Sequence, residues 1–238
     1  MWNRKTVAVI FPTYKEKSTL FNSIQDFDST GYVDEIIVVD NNTEDGIQIE
    51  VKRTRARYIK EPRVGYGRAI KTGVKNTKAD LIIFADPDGT YAGKDAIKLL
   101  AYSDDFDAVF GSRTHIPLIG NESDMTFIRR VLDVFCGKLI TLLFLTSPLS
   151  DVICTLSLYS SKSLKKQIEN VKTDGHLFTT RLLLEIVMKK IRFIEIPVNY
   201  KVRVGVHRYT NNFLKQAYWG IRVFLLIINT WLSNLLTK

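Results

Sequence analysis

Cysteine is scarce in this chain of 238 residues, which contains only Cys136 and Cys154. The two match no metal-ligand spacing and cannot build a disulfide framework, which excludes a disulfide-rich secreted domain and a structural zinc site. We therefore expect both thiols to be reduced core residues in a cytosolic compartment. Proline and glycine are also few, at 6 and 13 residues. No block recurs at a fixed period, so collagen-like and solenoid architectures are excluded.

Long hydrophobic runs are missing as well. The longest uninterrupted apolar run, residues 223–228, has six residues, whereas a membrane span needs roughly 20. The first residues show no cleavable signal, because Arg4 and Lys5 lead directly into a short strand pattern. We expect the catalytic part to face the cytoplasm. The 45% apolar content is enough for a sizeable core in one large or two small domains.

Acidic residues become rare towards the C-terminus, and this makes the net charge of +9 informative. Residues 1–149 hold 20 basic and 20 acidic side chains, whereas residues 150–238 hold 14 basic and 5 acidic ones. A basic segment indicates phosphate, an anionic membrane surface or nucleic acid, although solubility alone is an alternative.

Short β-rich runs alternate with helical patterns in the first half of the chain. The strand patterns cover residues 6–11, 35–40, 80–85 and 107–110, with a weaker one near 58–60, and the helical patterns cover 18–27, 66–76 and 94–103. This alternation predicts an α/β fold with a mostly parallel sheet. Ligands of such sheets bind beyond the carboxyl ends of the strands.

Acidic side chains follow one of these strands. Asp86 and Asp88 repel each other across an i, i+2 spacing, and a divalent cation that also bridges to a pyrophosphate removes that conflict. An aspartate-rich turn is the structural alternative. The glycine-rich stretch 63–69 lacks the third glycine of a dinucleotide fingerprint, because Ile70 takes its place. Its glycines favour a close backbone approach to a nucleotide or a strand, or a plain turn.

Five segments, taken in order, resemble motifs of the family-2 glycosyltransferases with a GT-A fold. They resemble the dolichyl-phosphate mannose synthase-like branch, which glycosylates polyprenyl phosphates, over about residues 5–210. The segments are residues 12–16, 40–46, 65–69 with Gly73, 86–88 and 111–113. The resemblance implies a three-layer αβα sandwich over residues 1–210, with a nucleotide-sugar half (1–113), an acceptor half (114–210) and a C-terminal helix (211–238).

The resemblance also implies roles for individual residues. The nucleotide-binding set comprises Pro12, Tyr14, Glu16, Asp40, Gly67 and Asp86. Asp86, Asp88 and Thr90 would hold Mg²⁺ or Mn²⁺, which neutralises the charge that grows on the departing nucleoside diphosphate. Arg113, Arg129, Arg203 and Arg208 would contact the acceptor phosphate, for which guanidinium groups are well suited. The catalytic set is Asp86, Asp88, Arg113, Arg129 and Arg203.

Three positions on the acceptor side depart from the family pattern. Asp133 stands where relatives often have Ser, and a carboxylate there is unfavourable beside an acceptor phosphate unless it pairs with Arg. Residues 151–157 keep the first Asp of the family motif and lose its Gly, Phe and Arg. Arg181 stands where an acidic residue is usual, with Glu185 one turn later.

The C-terminal stretch 211–236 predicts an amphipathic helix that lies in the membrane interface. Its polar residues Lys215, Arg222, Asn229 and Ser233 recur on one side, and Trp219 and Trp231 are candidate interfacial anchors. A single tilted span and a helix buried in an oligomer are alternatives. The helix over residues 124–145 is also apolar towards its end, and we expect it to dip into the same surface.

We therefore predict transfer of a sugar from a UDP- or GDP-sugar to a polyprenyl phosphate, with inversion and without a dedicated general base. A family-2 enzyme with a hydroxyl acceptor is the main alternative, in which Asp151 or Glu185 would act as the base. Nucleic-acid binding by the basic C-terminal third and a catalytically inactive membrane scaffold are two further alternatives.

Overall fold

A seven-stranded sheet forms the centre of the computed structural model, which describes residues 1–42, 44–120, 123, 125–204 and 213–236. The strands are β1 (Val7–Thr13), β2 (Glu35–Asp40), β3 (Arg57–Lys60), β4 (Leu81–Phe84), β5 (Ala108–Ser112), β6 (Ser157–Ser160) and β7 (Phe193–Pro197). Their order is β3-β2-β1-β4-β6-β5-β7. All neighbours are parallel except that β6 runs antiparallel to both β4 and β5. The mostly parallel sheet is thereby confirmed.

Helices cover both faces of this sheet. They are α1 (Lys17–Asp28), α2 (Ile47–Lys52), α3 (Tyr66–Lys75), α4 (Lys94–Ala101), α5 (Phe127–Phe144), α6 (Ser161–Ile168), α7 (Phe178–Met188) and α8 (Phe213–Leu236). One buried cluster joins the sheet to α1, α2 and α4, and a second joins its other face to α3, α5, α6, α7 and α8. The three-layer αβα sandwich is confirmed, while the division at residue 113 stays a prediction.

Strand β1 shows why the centre is buried on both sides. All seven of its residues are buried, with Val9 and Phe11 in one cluster and Ile10 in the other. Helix α3 approaches β1 at Gly73, where an added Cβ would lie 2.6 Å from the Ile10 side chain. Gly73 thus allows helix α3 to pack closely against strand β1. Cys136 and Cys154 are both free and buried, as expected.

Helices α5 and α8 pack together at the edge of the molecule. The α5 helix begins after Thr126, whose side chain accepts a hydrogen bond from the Arg129 amide (3.3 Å), and ends at Leu145 in a left-handed conformation. The Phe135 and Phe224 rings stack across the two helices at 6.4 Å. Residues 124 and 211–212 of the predicted helices lie outside the described residues.

The fully buried side chains among those described in helix α8 lie on one narrow side. Val223, Ile227 and Thr230 are buried, whereas the polar stripe at Arg222, Asn229 and Ser233 is exposed. The segment Ala217–Leu236 is long and apolar enough to cross a membrane by length and composition, and little of it is buried. Single polar residues interrupt this helix, so its average is apolar although its longest uninterrupted apolar run has six residues. Whether it lies in the membrane interface or spans the membrane stays a prediction.

Candidate active site

Two adjoining cavities lie where β1, β2 and β4 end. The larger cavity has a volume of about 480 Å³, and the smaller one, which we call the arginine cavity, has about 70 Å³. Tyr66 and His176 line both, so the cavities meet at these two side chains. The other residues of the larger cavity are Pro12, Thr13, Tyr14, Lys15, Asn41, Val64, Gly65 and Gly175.

The loops after β1 and β2 and the glycine-rich loop shape the larger cavity. Pro12 and Tyr14 lie on its wall, and their role in binding a nucleotide stays a prediction. The Gly65 amide donates a hydrogen bond to Asn41 Oδ1 (2.7 Å), which holds the glycine-rich loop beside the end of β2. Gly65, and not Gly67, lines the cavity. A Cβ on Gly67 would collide with the Phe178 ring, so Gly67 serves the packing of α3 on α7.

Asp40 lies at the end of β2 but lines neither of these cavities. Its carboxylate accepts hydrogen bonds from the Tyr58 hydroxyl (2.7 Å) and the Asn42 amide (2.9 Å). Burial, the hydrogen bond to Asp40 and the Asp40 charge raise the pKa of Tyr58 to about 12. Asp40 and Lys60 line a separate surface cavity of about 340 Å³. In this structure Asp40 ties β2 to β3, and its predicted role in binding the nucleotide stays a prediction.

Asp86 and Asp88 both face the arginine cavity. Asp88 Oδ1 accepts hydrogen bonds from the Thr90 amide (3.0 Å) and hydroxyl (2.5 Å), so Thr90 fixes the orientation of this carboxylate. Asp86 Oδ2 accepts a hydrogen bond from the Thr155 hydroxyl (2.9 Å). Thr155 belongs to the segment that departs from the family motif, and it takes part in the site. The paired acids therefore lie in a cleft and not in an outward-facing turn.

The residues around this pair fit a divalent cation. The described part of the chain holds no cluster of three or more His, Cys, Asp or Glu side chains suited to a metal. Mg²⁺ commonly uses one or two carboxylates and completes its shell with water and substrate phosphates, so Asp86 and Asp88 suffice. A cationic group already lies against one of them, because Arg203 Nη2 is 3.2 Å from Asp88 Oδ2. The same Nη2 lies 3.1 Å from Glu16 Oε1, which brings Glu16 to this cavity.

Arg113 enters the arginine cavity from the end of β5 as part of a buried ion pair. Its Nε and Nη2 donate to the two carboxylate oxygens of Asp151 (2.8 and 2.9 Å), and Asp133 Oδ2 lies 3.8 Å from Nη2. Burial alone would lower the pKa of Arg113, but the Asp151 charge raises it well above its usual value. Asp133 thus pairs with an arginine, which is the condition under which a carboxylate near an acceptor phosphate was expected to be tolerated.

Asp151 is held in place from the opposite side by β7. Glu195 accepts hydrogen bonds from the backbone amides of Ser150 (2.8 Å) and Asp151 (2.8 Å). Burial would raise the pKa of Asp151, but the Arg113 charge and its hydrogen bonds lower it below the usual value. Burial raises the pKa of Glu195, against the effect of the Ser150 and Asp151 hydrogen bonds. The acidic residues behind Arg113 therefore form one buried network.

Arg129 lines the arginine cavity from the first turn of α5. Three of the four predicted acceptor arginines, Arg113, Arg129 and Arg203, are brought together there. The fourth, Arg208, lies outside the described residues. Their convergence with Asp86 and Asp88 unites residues from four separate segments of the chain.

Arg181 and Glu185 do not line either cavity. Arg181 Nη1 donates to the Thr230 hydroxyl of α8 (2.6 Å), and Glu185 Oε1 accepts from Asn170 (3.0 Å). Arg181, which departs from the family pattern, therefore links helix α7 to helix α8. Neither residue is placed to act on a ligand in the cavities.

Sequence reasoning missed Asn41 and His176 as lining residues. Asn41 lay within a quoted motif, and its position directly after β2 was the signal available. His176 follows Asp174-Gly175 in a stretch without a chemical pattern, and its ring packs edge-on against Trp219 of α8 at 5.1 Å. That contact joins parts of the chain that no local motif connects.

Comparison with known proteins identifies the architecture and the family. Glycosyl transferase family 2 matches residues 8–168, more than half of the chain. The glycosyltransferase AglJ of Haloferax volcanii is 26% identical over 208 residues, covering 83% of this chain and 63% of its own length. The dolichyl-phosphate beta-glucosyltransferase of Saccharomyces cerevisiae is 22% identical, covering 82% of this chain and 66% of its own length. The chain thus spans about two thirds of these two curated relatives.

Solved structures share the fold at low identity. Glucosyl-3-phosphoglycerate synthase of Mycobacterium tuberculosis, in complex with Mn²⁺, UDP and phosphoglyceric acid, superposes with a TM-score of 0.72 at 18% identity. The match covers 97% of this chain and 78% of that one. Its complex with Mn²⁺, UDP and glucosyl-3-phosphoglycerate gives a TM-score of 0.70 at 17% identity, over 97% and 80% of the two chains.

Proposed function

Because this chain belongs to glycosyl transferase family 2, we propose that it transfers a sugar from a nucleotide-diphosphate sugar to a polyprenyl phosphate with inversion. The observation that carries the proposal is the arginine cavity, where two carboxylates and three guanidinium groups meet. Carboxylates suit a metal-bound diphosphate, and guanidinium groups suit a second, phosphorylated ligand. Two relatives carry the name dolichyl-phosphate beta-glucosyltransferase, which supports a lipid phosphate as the acceptor.

The donor nucleotide is proposed to occupy the larger cavity. Pro12, Tyr14 and Asn41 supply its wall, and Tyr66 and His176 line both this cavity and the arginine cavity. A diphosphate at that junction would lie between the nucleotide and Asp86. The M. tuberculosis synthase has been crystallised with Mn²⁺ and UDP, which supports a metal-bound nucleotide here.

The reaction is proposed to be a single in-line displacement. An oxygen of the acceptor phosphate forms the bond to the anomeric carbon, while the bond from that carbon to the diphosphate oxygen breaks. Bound Mg²⁺ or Mn²⁺ would supply Lewis-acid stabilisation of the leaving diphosphate. Asp86 and Asp88 would hold the cation, and Arg113, Arg129 and Arg203 would hold and orient the ionised acceptor. Positioning and charge stabilisation account for catalysis.

A phosphate acceptor needs no general base, because it is already ionised at neutral pH. The structure offers little support for the alternative of a hydroxyl acceptor, which does need one. Asp151 is engaged by Arg113 and by the backbone amides of Ile153 and Cys154, and Glu185 lies outside both cavities. The two carboxylates considered for a base are thus occupied or remote.

The surface of α5 and α8 supports contact with a membrane, the source of a polyprenyl phosphate. Phe127, Val131 and Phe135 of α5 are exposed, as are Ile221 and Leu225 of α8. Contiguous exposed apolar side chains of this kind mark interaction surfaces. Arg129 lies on the same helix and lines the arginine cavity, so a lipid held at this surface would present its headgroup to the cavity. The cytoplasmic face is the expected side.

The test is product identification with a panel of substrates. The purified protein is incubated with UDP- and GDP-sugars, Mg²⁺ or Mn²⁺, and dolichyl or undecaprenyl phosphate, and the lipid fraction is analysed by mass. A polyprenyl-phosphate sugar is the expected product, and its anomeric configuration reports inversion. Product formed only with soluble hydroxyl acceptors would contradict the proposal. Nucleotide binding without any product would indicate an inactive scaffold.

A further inference from the structure

Arg203 is held between two acidic residues that lie far apart in sequence. Its Nη2 is 3.1 Å from Glu16 Oε1 and 3.2 Å from Asp88 Oδ2, and all three side chains are largely buried. Burial would lower the pKa of Arg203, but the charges of Asp88, Asp86 and Glu16 raise it. One guanidinium group thus serves as the counter-ion of a set of carboxylates on the metal side of the cavity.

The backbone on either side of Arg203 is held beside the turn that carries Asp88. The Lys201 amide donates to the Thr90 carbonyl (2.8 Å), and the Val204 amide donates to the Asp88 carbonyl (3.2 Å). The segment that carries Arg203 therefore pairs with the same turn that carries Asp88 and Thr90. The loop pairing therefore keeps Arg203 beside Asp88, while the guanidinium itself is free to change partners by rotation of its side chain.

The oxygen that Arg203 contacts is the one left for a metal. Asp88 Oδ1 already accepts two hydrogen bonds from Thr90, so Oδ2 is the oxygen that remains for a cation. A divalent cation bound at Oδ2 and a guanidinium at 3.2 Å from the same atom would carry like charges at close range. Like charges this near disfavour each other strongly.

We propose that Arg203 is a built-in counter-cation that a divalent metal must displace from Asp88. The proposal rests on the metal site of the proposed function and gives Arg203 a role on the metal side of the cavity. In the metal-free chain the guanidinium keeps Glu16 and Asp88 from repelling each other. When metal binds, the guanidinium leaves Oδ2, and the freed charge remains in the cavity that holds Arg113 and Arg129.

The test is a titration of the metal-depleted full chain with Mn²⁺ alone, followed by electron paramagnetic resonance of the free ion. Arg203→Gln is expected to bind Mn²⁺ roughly tenfold more tightly than the unchanged chain, because an opposing charge has been removed. Arg203→Lys, which keeps the charge but loses the forked geometry, should shift in the same direction by a smaller factor. Thermal melting adds a second readout: without metal, Arg203→Gln should melt lower, and Mn²⁺ should raise its Tm more than that of the unchanged chain.

Two controls identify the site that is titrated. Arg192→Gln removes one exposed positive charge at the start of β7, on the opposite edge of the sheet, and should leave Mn²⁺ affinity unchanged. Asp88→Ala should abolish the binding. Unchanged or weaker Mn²⁺ binding in Arg203→Gln, or in Arg203→Lys if the glutamine variant does not fold, overturns the proposal, as does full binding by Asp88→Ala. If the unchanged chain still forms glycolipid in those cases, the proposed function stands; if it forms none, that function fails independently.

Discussion

The proposed donor side and acceptor side of the cleft are built in different ways. On the donor side, Asp86 and Asp88 lie on one turn directly after β4, where Thr90 of the same turn orients Asp88 and the more distant Thr155 donates to Asp86. On the acceptor side, Arg113 depends on Asp151, which depends on Glu195 of a distant strand. The positions of the two donor-side acids can therefore be read from local sequence. The acceptor side is a buried charge network whose members must be present together.

The largest effect on stability should follow from removing Asp151 from that network. Asp151→Ala leaves the buried Arg113 charge without its main partner, so we expect the free energy of unfolding to fall by about 3–5 kcal/mol. Urea denaturation measures this loss. Asp104→Ala breaks the exposed ion pair with Lys5 and should cost no more than about 1 kcal/mol. Equal losses in the two variants would refute the distinction between a buried network and surface pairs.

Removing a donor-side acid should cost activity and spare the fold. Asp86→Ala is expected to lower kcat by about 100- to 1000-fold, because charge on the leaving diphosphate is no longer neutralised. The measurement is the rate of glycolipid formation, with the circular dichroism spectrum as the check on folding. Asp105→Ala, which removes an exposed carboxylate, is the matched control. Undiminished turnover in both Asp86→Ala and Asp88→Ala would remove the basis for the metal assignment.

The acceptor-side network should also make stability depend on acid pH. The folded-state pKa of Asp151 is below its usual value of about 3.9, so its contribution is complete above that pH and is lost as pH falls towards the folded pKa. The pH dependence of the Glu195 contribution to folding stability has the opposite sign: because its pKa is raised, that contribution is lost as pH rises. Between about pH 5 and pH 2, the free energy of unfolding of the unchanged chain should fall by up to about 1.4 kcal/mol more per pH unit than that of Asp151→Asn. The Asp151→Asn variant retains Glu195, so the difference between the two reports Asp151.

Urea unfolding at each pH measures this difference. Asp105→Asn should keep the slope of the unchanged chain, because its carboxylate is exposed and takes no part in the network. Parallel slopes for Asp151→Asn and the unchanged chain would mean that Asp151 does not carry the effect.

Membrane contact should depend on the exposed face of α8. Ile221→Asp places a charge on that face, and we expect partitioning to anionic phospholipid vesicles to fall roughly tenfold. Co-sedimentation with vesicles gives the partition constant. Ile49→Asp makes the same exchange at an exposed position of α2 and should have no effect. Equal loss in both variants would show that the apolar α8 surface is not the contact.

The smallest effect should distinguish two neighbouring arginines of α5. Arg129→Gln is expected to raise KM for polyprenyl phosphate about tenfold with little change in KM for the nucleotide sugar, because one charge-assisted contact to phosphate is lost. Arg130 contacts the Phe127 ring and does not line the cavity, so Arg130→Gln is the control. A rise in the nucleotide-sugar KM alone would assign Arg129 to the donor side.

The sequence predicts most of the first half of the fold. Strands β1, β2 and β4 are apolar runs that end at polar turns, and α1, α3 and α4 show helical spacing between them. Helix α2 was missed because it has only six residues and follows Gly46, which has a left-handed conformation. Strand β6 was missed because it is short and has a serine at each end, so its pattern contains only two residues between Ser157 and Ser160.

The site was predictable only where its residues belong to local motifs. Asp86, Asp88, Arg113, Arg129 and Arg203 were each found from their neighbours in sequence. The pairing of Arg203 with Glu16 spans 187 positions, and that of Arg113 with Asp151 spans 38. Such partners depend on how the sheet brings distant loops together. The sequence could therefore flag Asp133 as a conflict, while the structure was needed to identify its partner.

The most direct test of the account compares two acceptors that share one lipid tail. With the best nucleotide sugar and Mn²⁺, initial rates are measured for a polyprenyl phosphate and for the polyprenol that lacks its phosphate. The account predicts a glycosylated product from the phosphate and none from the alcohol, because the arginine cavity binds an ionised headgroup and offers no base. Equal or faster transfer to the polyprenol would contradict it.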